Sequence, residues 1–166
     1  MAKPPPAGDA VSMPHSAEPR QTPLSERLPG TWELVSRIDV TDSGTRQADP
    51  SLGDDPIAML FYDRSGHFSA QFMKRDRTGP IPDGPAGAPN NSRAQGGYDA
   101  YFGTYTVDDA LGTVTQRLTG ALSSENVGAA VTRAMTIRGD TLTIELKTTS
   151  ARGDAVTRTL TWRRVG

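Results

Sequence analysis

Arg133 and Arg158 stand on strand-like alternating segments among apolar residues, and that placement carries the first chemical information in this chain. A guanidinium on an inward face stays charged and needs a partner. The partner is either a ligand carboxylate, enolate or carbonyl, or an acidic group of the protein. Arg158 has the further option of projecting from a barrel rim. Tyr101 and Tyr105 each add an apolar ring with a hydroxyl that donates to a carbonyl. Gln116 and Gln71 are hydrogen-bonding candidates, and Ser36 and Met135 share faces expected to point inward. For the tyrosines and glutamines the competing reading is a core residue satisfied by the protein's own groups.

Familiar catalytic constellations are missing from the sequence. There is no Cys, so neither a thiolate nucleophile nor a disulfide is available. No Gly-x-Ser-x-Gly elbow, dinucleotide fingerprint or P-loop occurs. Asp54-Asp55 and Asp108-Asp109 are adjacent pairs whose side chains diverge, which suits solvated loops better than acid–base work. His15 and His67 are the two histidines. That excludes a multi-histidine metal site, and no metal or cofactor is expected. His67 follows a turn and is expected to face solvent.

The elements that must hold these residues alternate polar and apolar positions. Eight main strands are expected: Thr31–Val40, Ile57–Tyr62, His67–Lys74, Tyr101–Val107, Thr113–Leu122, Val131–Ile137, Thr141–Thr148 and Ala155–Arg164. Short turns join most of them, and the fold class is all-β, a single antiparallel up-and-down barrel. A barrel of about eight strands can enclose one small ligand.

Period-two alternation assigns the faces. Trp32, Leu34, Ser36 and Ile38 are expected inside, as are Tyr101, Gly103, Tyr105 and Val107. So are Val114, Gln116, Leu118 and Gly120; Val131, Arg133, Met135 and Ile137; and Val156, Arg158, Leu160, Trp162 and Arg164. For the strand at 67–74 the faces Phe68/Ala70/Phe72 and Ser69/Gln71/Met73 stay open as the lining. Trp32 is expected to plug the barrel base.

Two further segments frame the barrel. Residues 1–27 are Pro-rich and too polar to bury a core, so they read as a disordered arm ahead of a barrel domain at 28–166. Leu24 to Leu28 suits a helical turn over one barrel end. Arg75 to Gly97 is a long Pro- and Gly-rich connection of the kind that often forms lids, with a short helix expected near Asn91 to Tyr98. Arg138-Gly139-Asp140 and Arg152-Gly153-Asp154 spell an adhesion tripeptide, but Gly-Asp is what tight turns select.

Charge is balanced, with 18 Lys+Arg against 19 Asp+Glu, so no nucleic-acid footprint is present. No apolar run reaches the ~18 residues of a membrane helix. The N-terminus has no apolar signal region, and a cytoplasmic location is expected. Oligomeric state is not readable.

The chain from Leu28 to Arg164 resembles the bacterial and fungal lipocalin-like domain family. Gly30-Thr31-Trp32-Glu33-Leu34-Val35-Ser36, Gly66 to Met73, Asp76-Arg77, and Tyr101 to Val107 followed by Gly112 to Thr115 carry the resemblance. Resemblance to lipocalins proper rests on the Gly-x-Trp and on Arg163 or Arg164 as a cation over Trp32. Gln116 stands where relatives tend to carry His, and Glu125 to Gly128 lacks an aromatic residue expected before the glycine. The barrel implies binding of a small, mostly hydrophobic molecule with a polar handle. The alternative is a cofactor-independent isomerase or cyclase acting on a polyketide- or terpenoid-like substrate in secondary metabolism, because a closed apolar site favours folded, near-reactive conformers.

Overall fold

A computed structural model describes residues 22–84 and 93–166. Nine strands follow a short helix: α1 (Leu24–Arg27), β1 (Gly30–Thr41), β2 (Arg46–Gln47), β3 (Ile57–Tyr62), β4 (His67–Met73), β5 (Tyr98–Asp108), β6 (Thr113–Ala121), β7 (Ala130–Arg138), β8 (Thr141–Thr149) and β9 (Ala155–Arg164). Strands β1 and β3–β9 pair antiparallel in sequence order, and β9 returns to β1. This closes an eight-stranded barrel and removes its sheet edges. The two-residue β2 folds back on the end of β1 at Asp39–Val40. The expected up-and-down barrel is therefore the observed one, with β2 in addition.

The two ends of the barrel are built differently. At the closed end, Trp32 and Leu28 are fully buried and the indole N–H donates to the Leu28 carbonyl at 3.0 Å. The Arg164 guanidinium lies 4.1 Å over the Trp32 ring, a cation–π contact. The same guanidinium donates to the carbonyls of Pro29 and Arg27. Helix α1 forms where expected and is pinned from outside: the Ser25 backbone and hydroxyl both donate to the Asp109 carboxylate, at 2.8 and 2.6 Å.

The opposite end carries the long connections. Strands β1 and β3 pair only from Gly30–Glu33 to Met59–Tyr62, then separate. Beyond Glu33 the wall is completed by β2 and the segment 48–56, which buries Ser51 and Leu52. Of the 75–97 connection, the described arms are tied together by Gly84 N–H to the Ala94 carbonyl (2.7 Å) and Gly96 N–H to the Asp83 carboxylate (2.9 Å). The helix expected near Asn91 lies partly outside the described residues. Its described part, 93–98, is a tight turn leading into β5. The arm expected over 1–27 lies outside the described residues up to position 21.

Two bulges change which residues face inward. The β1–β9 register slips between Leu34 and Ser36, leaving Val35 unpaired and 56% exposed. An extra residue reverses the alternation beyond it. Arg37 and Asp39 consequently face the interior, while Ser36 and Ile38 leave it. The β5–β6 register slips between Phe102 and Gly103, so Gly120 lies under the exposed Phe102 ring instead of inside the barrel. In its place Ala121 packs against the core. Both Arg-Gly-Asp segments are hairpin turns, with positive φ at Gly139 (57°) and Gly153 (87°).

Candidate functional site

The interior divides into an apolar lower half and a cavity near the long loops. In the lower half Gln116 is buried and its amide N–H donates to the Tyr62 hydroxyl at 2.7 Å. That hydroxyl in turn contacts the Met135 sulfur at 3.9 Å. Tyr105 packs edge-on against Tyr62 and its hydroxyl donates to the Asp63 carbonyl at 2.6 Å, at the barrel rim. Gln116, Met135 and Tyr105 therefore serve the base of the barrel and do not line the cavity.

The cavity offers about 50 Å³ to the centres of water-sized molecules. That is above the ~10–15 Å³ needed to hold one water and below the ~150 Å³ of an apolar cavity that admits a benzene ring. Leu52, Leu60, Phe72, Ile144, Leu160 and Trp162 supply most of its apolar wall. Alternation on β4 places Phe68, Ala70 and Phe72 inside. Gln71 consequently faces solvent and bonds weakly to Ser69 at 3.4 Å, which removes it from the cavity. Ser36 is removed by the β1 bulge.

Five polar residues share that wall: Arg37, Asp99, Tyr101, Arg133 and Arg158. All five are less than a tenth exposed. Arg158 and Asp39 form a two-pronged ion pair, Nε to Oδ1 at 2.7 Å and Nη2 to Oδ2 at 2.6 Å. The fork geometry matches a carboxylate and offsets the cost of burying both charges. Arg158 thus has an acidic protein partner, one of the alternatives its sequence position left open. Arg37 lies 2.8 Å from Asp49 and 3.7 Å from Asp39, continuing the network into the 48–56 segment.

Arg133, on β7, hydrogen-bonds the Tyr101 hydroxyl of β5, with β6 between the two strands. Burial lowers the pKa of the guanidinium and raises that of the Tyr101 hydroxyl, and the arginine works against the latter shift. Arg133 and Tyr101 are the two sequence candidates that the fold brings together in the cavity, with Arg158 beside them.

Asp99, Arg37 and Asp39 escaped the sequence reading. Asp99 stands two residues before Tyr101 on the same face of β5, which begins three residues earlier than expected. Continuing the alternation back from Tyr101 would have found it. Burial raises its carboxyl pKa; the Ala100 backbone N–H and Arg37 oppose this, Asp49 adds to it, and the value settles at about 7. Its Oδ1 has no hydrogen-bond partner among the described residues. Asp49 shows the reverse balance. Burial pushes its pKa up, but Arg37 and the Leu52 and Ser51 amides outweigh that and leave it lowered.

His67 is exposed, 2.9 Å from the Ser65 hydroxyl, and has no part in the cavity. Among the described residues no group of three or more His, Cys, Asp or Glu side chains is placed to hold a metal ion. Among them, too, no helix is long and apolar enough to cross a membrane.

No curated protein matches this chain. The sequence profile of the lipocalin-like domain matches residues 29–165, the whole of the closed barrel from the turn after α1 to the end of β9, and the chain belongs to that family.

Proposed function

We propose that the barrel binds one small, mostly hydrophobic molecule through a polar handle, in the cavity beneath the long loops. A lipocalin-like barrel suits small-molecule binding in general. The observation that carries the finer reading is a mostly apolar cavity into which a few buried polar side chains converge, Arg133 and Tyr101 among them. Ligand sites combine an apolar wall with a small number of placed polar groups in this way. At about 50 Å³ the cavity is smaller than the ~150 Å³ that admits a benzene ring, so a ligand of about one ring is admitted by movement of the 48–56 segment.

Native mass spectrometry of protein from its own host, beside an Arg133→Met variant, tests this reading. A co-purifying small molecule present in the wild type and depleted in the variant supports it. An empty barrel that also fails to take up small cyclic alcohols or ketones at millimolar concentration refutes it.

A cofactor-independent isomerase or cyclase is the second reading, and Asp99 is what favours it. A buried carboxyl titrating near neutrality suits general acid–base work, and the Arg133–Tyr101 pair would polarise a substrate carbonyl. Gene neighbourhood and turnover of polyketide- or terpenoid-like substrates would decide between binding and conversion.

A further inference from the structure

Among the described residues, the side chains that line the cavity leave one acceptor, Asp99 Oδ1, and two donors, Arg37 Nη1 and Trp162 Nε1, without a hydrogen-bond partner. Asp99 is 3% exposed and its Oδ1 lacks a partner among the described residues. Arg37 is 8% exposed, and while its Nη2 holds Asp49, its Nη1 also lacks one. Both residues line the cavity, and their charges act on one another. A buried polar atom without a partner is costly, so the Asp99 acceptor and the Arg37 donor, which act on one another beside one cavity, call for a complementary group. An ether or ketone accepts from Arg37 and leaves Asp99 unmatched. An ammonium serves Asp99 but meets the positive charge of Arg37, with Arg133 and Arg158 on the same wall. A hydroxyl serves both, because it accepts and donates at one atom.

We propose that Asp99 and Arg37 form the hydroxyl-recognising pole of the cavity, so that the ligand class is a small apolar alcohol or enol. This rests on the reading of the barrel as a small-molecule binder. The ligand O–H donates to Asp99 Oδ1, and its oxygen accepts from Arg37 Nη1. The apolar body of the ligand lies along Phe72, Leu160 and Trp162. Asp49 and Asp39, the other carboxylates near Arg37, are held by Arg37 and Arg158 and leave this pole to Asp99.

Cyclohexanol, cyclohexanone and methylcyclohexane are ring-sized probes that differ at one position. Their dissociation constants would be measured by protein-observed NMR at about pH 8.5, where the Asp99 carboxylate predominates. Cyclohexanol is expected to bind about tenfold or more tighter than cyclohexanone, since the ketone cannot satisfy the buried acceptor. In an Asp99→Val variant, checked for folding by its thermal transition, the two should bind within about twofold of each other.

Equal affinity of the alcohol and the ketone in the wild type overturns the hydroxyl pole but leaves small-molecule binding intact. A preference that survives in Asp99→Val removes Asp99 from the pole and overturns the assignment. Failure of all three probes to bind at about 10 mM overturns the underlying reading as well.

Discussion

Arg37 Nη2 lies 2.8 Å from Asp49 Oδ2, while Asp49 Oδ1 accepts the backbone N–H groups of Ser51 and Leu52, each at 2.9 Å. One carboxylate therefore joins an interior arginine to the segment that fills the gap between β1 and β3. Leu52 of that segment lines the cavity, so the ion pair couples the cavity wall to the one part of it, among the described residues, that is not built from barrel strands.

Asp49→Ala should loosen this segment selectively. Loss of charge-assisted hydrogen bonds at a mostly buried carboxylate is expected to cost about 1.5–3 kcal/mol, read from the urea midpoint. Amide exchange at Ser51 and Leu52 should accelerate far more than exchange in β5 or β7. Uniform acceleration across the barrel would show that the segment is not a separate latch.

Asp99 should make stability fall with rising pH. Its carboxyl keeps a proton in the folded protein up to about pH 7, whereas an unfolded aspartate loses it near ~3.9. Between those values the folded state binds more protons, so stability declines as pH rises through the window. The decline contributed by this group is on the order of 4 kcal/mol at most. Asp99→Asn should flatten the profile and leave the variant the more stable protein at about pH 8, as denaturant midpoints at about pH 5 and about pH 8 would report. Asp49 acts in the opposite sense: its lowered pKa supplies stability above ~3.9 that is lost on acidification.

Arg158→Met should be among the most damaging single changes in the cavity wall. It leaves Asp39 without its two-pronged partner in a buried site, with Arg37 at 3.7 Å as partial compensation. Breaking one side of such a pair costs about 3–5 kcal/mol. The double variant Asp39→Leu/Arg158→Met should recover a substantial part of that loss in chemical denaturation. A double variant no better than the single one would mean that the pair stabilises beyond simple charge balance.

Gly103 and Gly120 should respond oppositely to alanine. A Cβ at Gly103 would lie 1.9 Å from the Arg117 carbonyl oxygen and 2.8 Å from the Thr119 nitrogen, both backbone atoms beside the β6 bulge. Gly103→Ala is expected to cost about 3 kcal/mol or prevent folding. At Gly120 the contact is the Phe102 ring, 2.5 Å away and 54% exposed, which can swing outward. Gly120→Ala should cost about 1 kcal/mol or less. Comparing the two melting temperatures decides whether the bulge depends on the close backbone approach.

Alternation and turn chemistry determined the barrel, because both are local. The strand segments, the glycine turns, the Trp32 plug and the inward faces of β7 and β9 follow from periods of two and from turn residues. Arg133, Tyr101 and Arg158 were legible as cavity candidates on the same basis. What only the tertiary structure decided begins at the bulges. Nothing local marks Val35 as the residue that slips out of register, yet that slip takes Ser36 off the interior face and brings Arg37 and Asp39 onto it. Asp99 was accessible to alternation, but the strand was read as starting at Tyr101. The choice between a ligand and a protein partner for each arginine depends on residues distant in sequence: Asp39 meets Arg158 across 119 positions. Division of the interior into a filled base and a cavity is likewise a packing outcome, settled by how the Tyr62, Gln116 and Met135 side chains fill one end together.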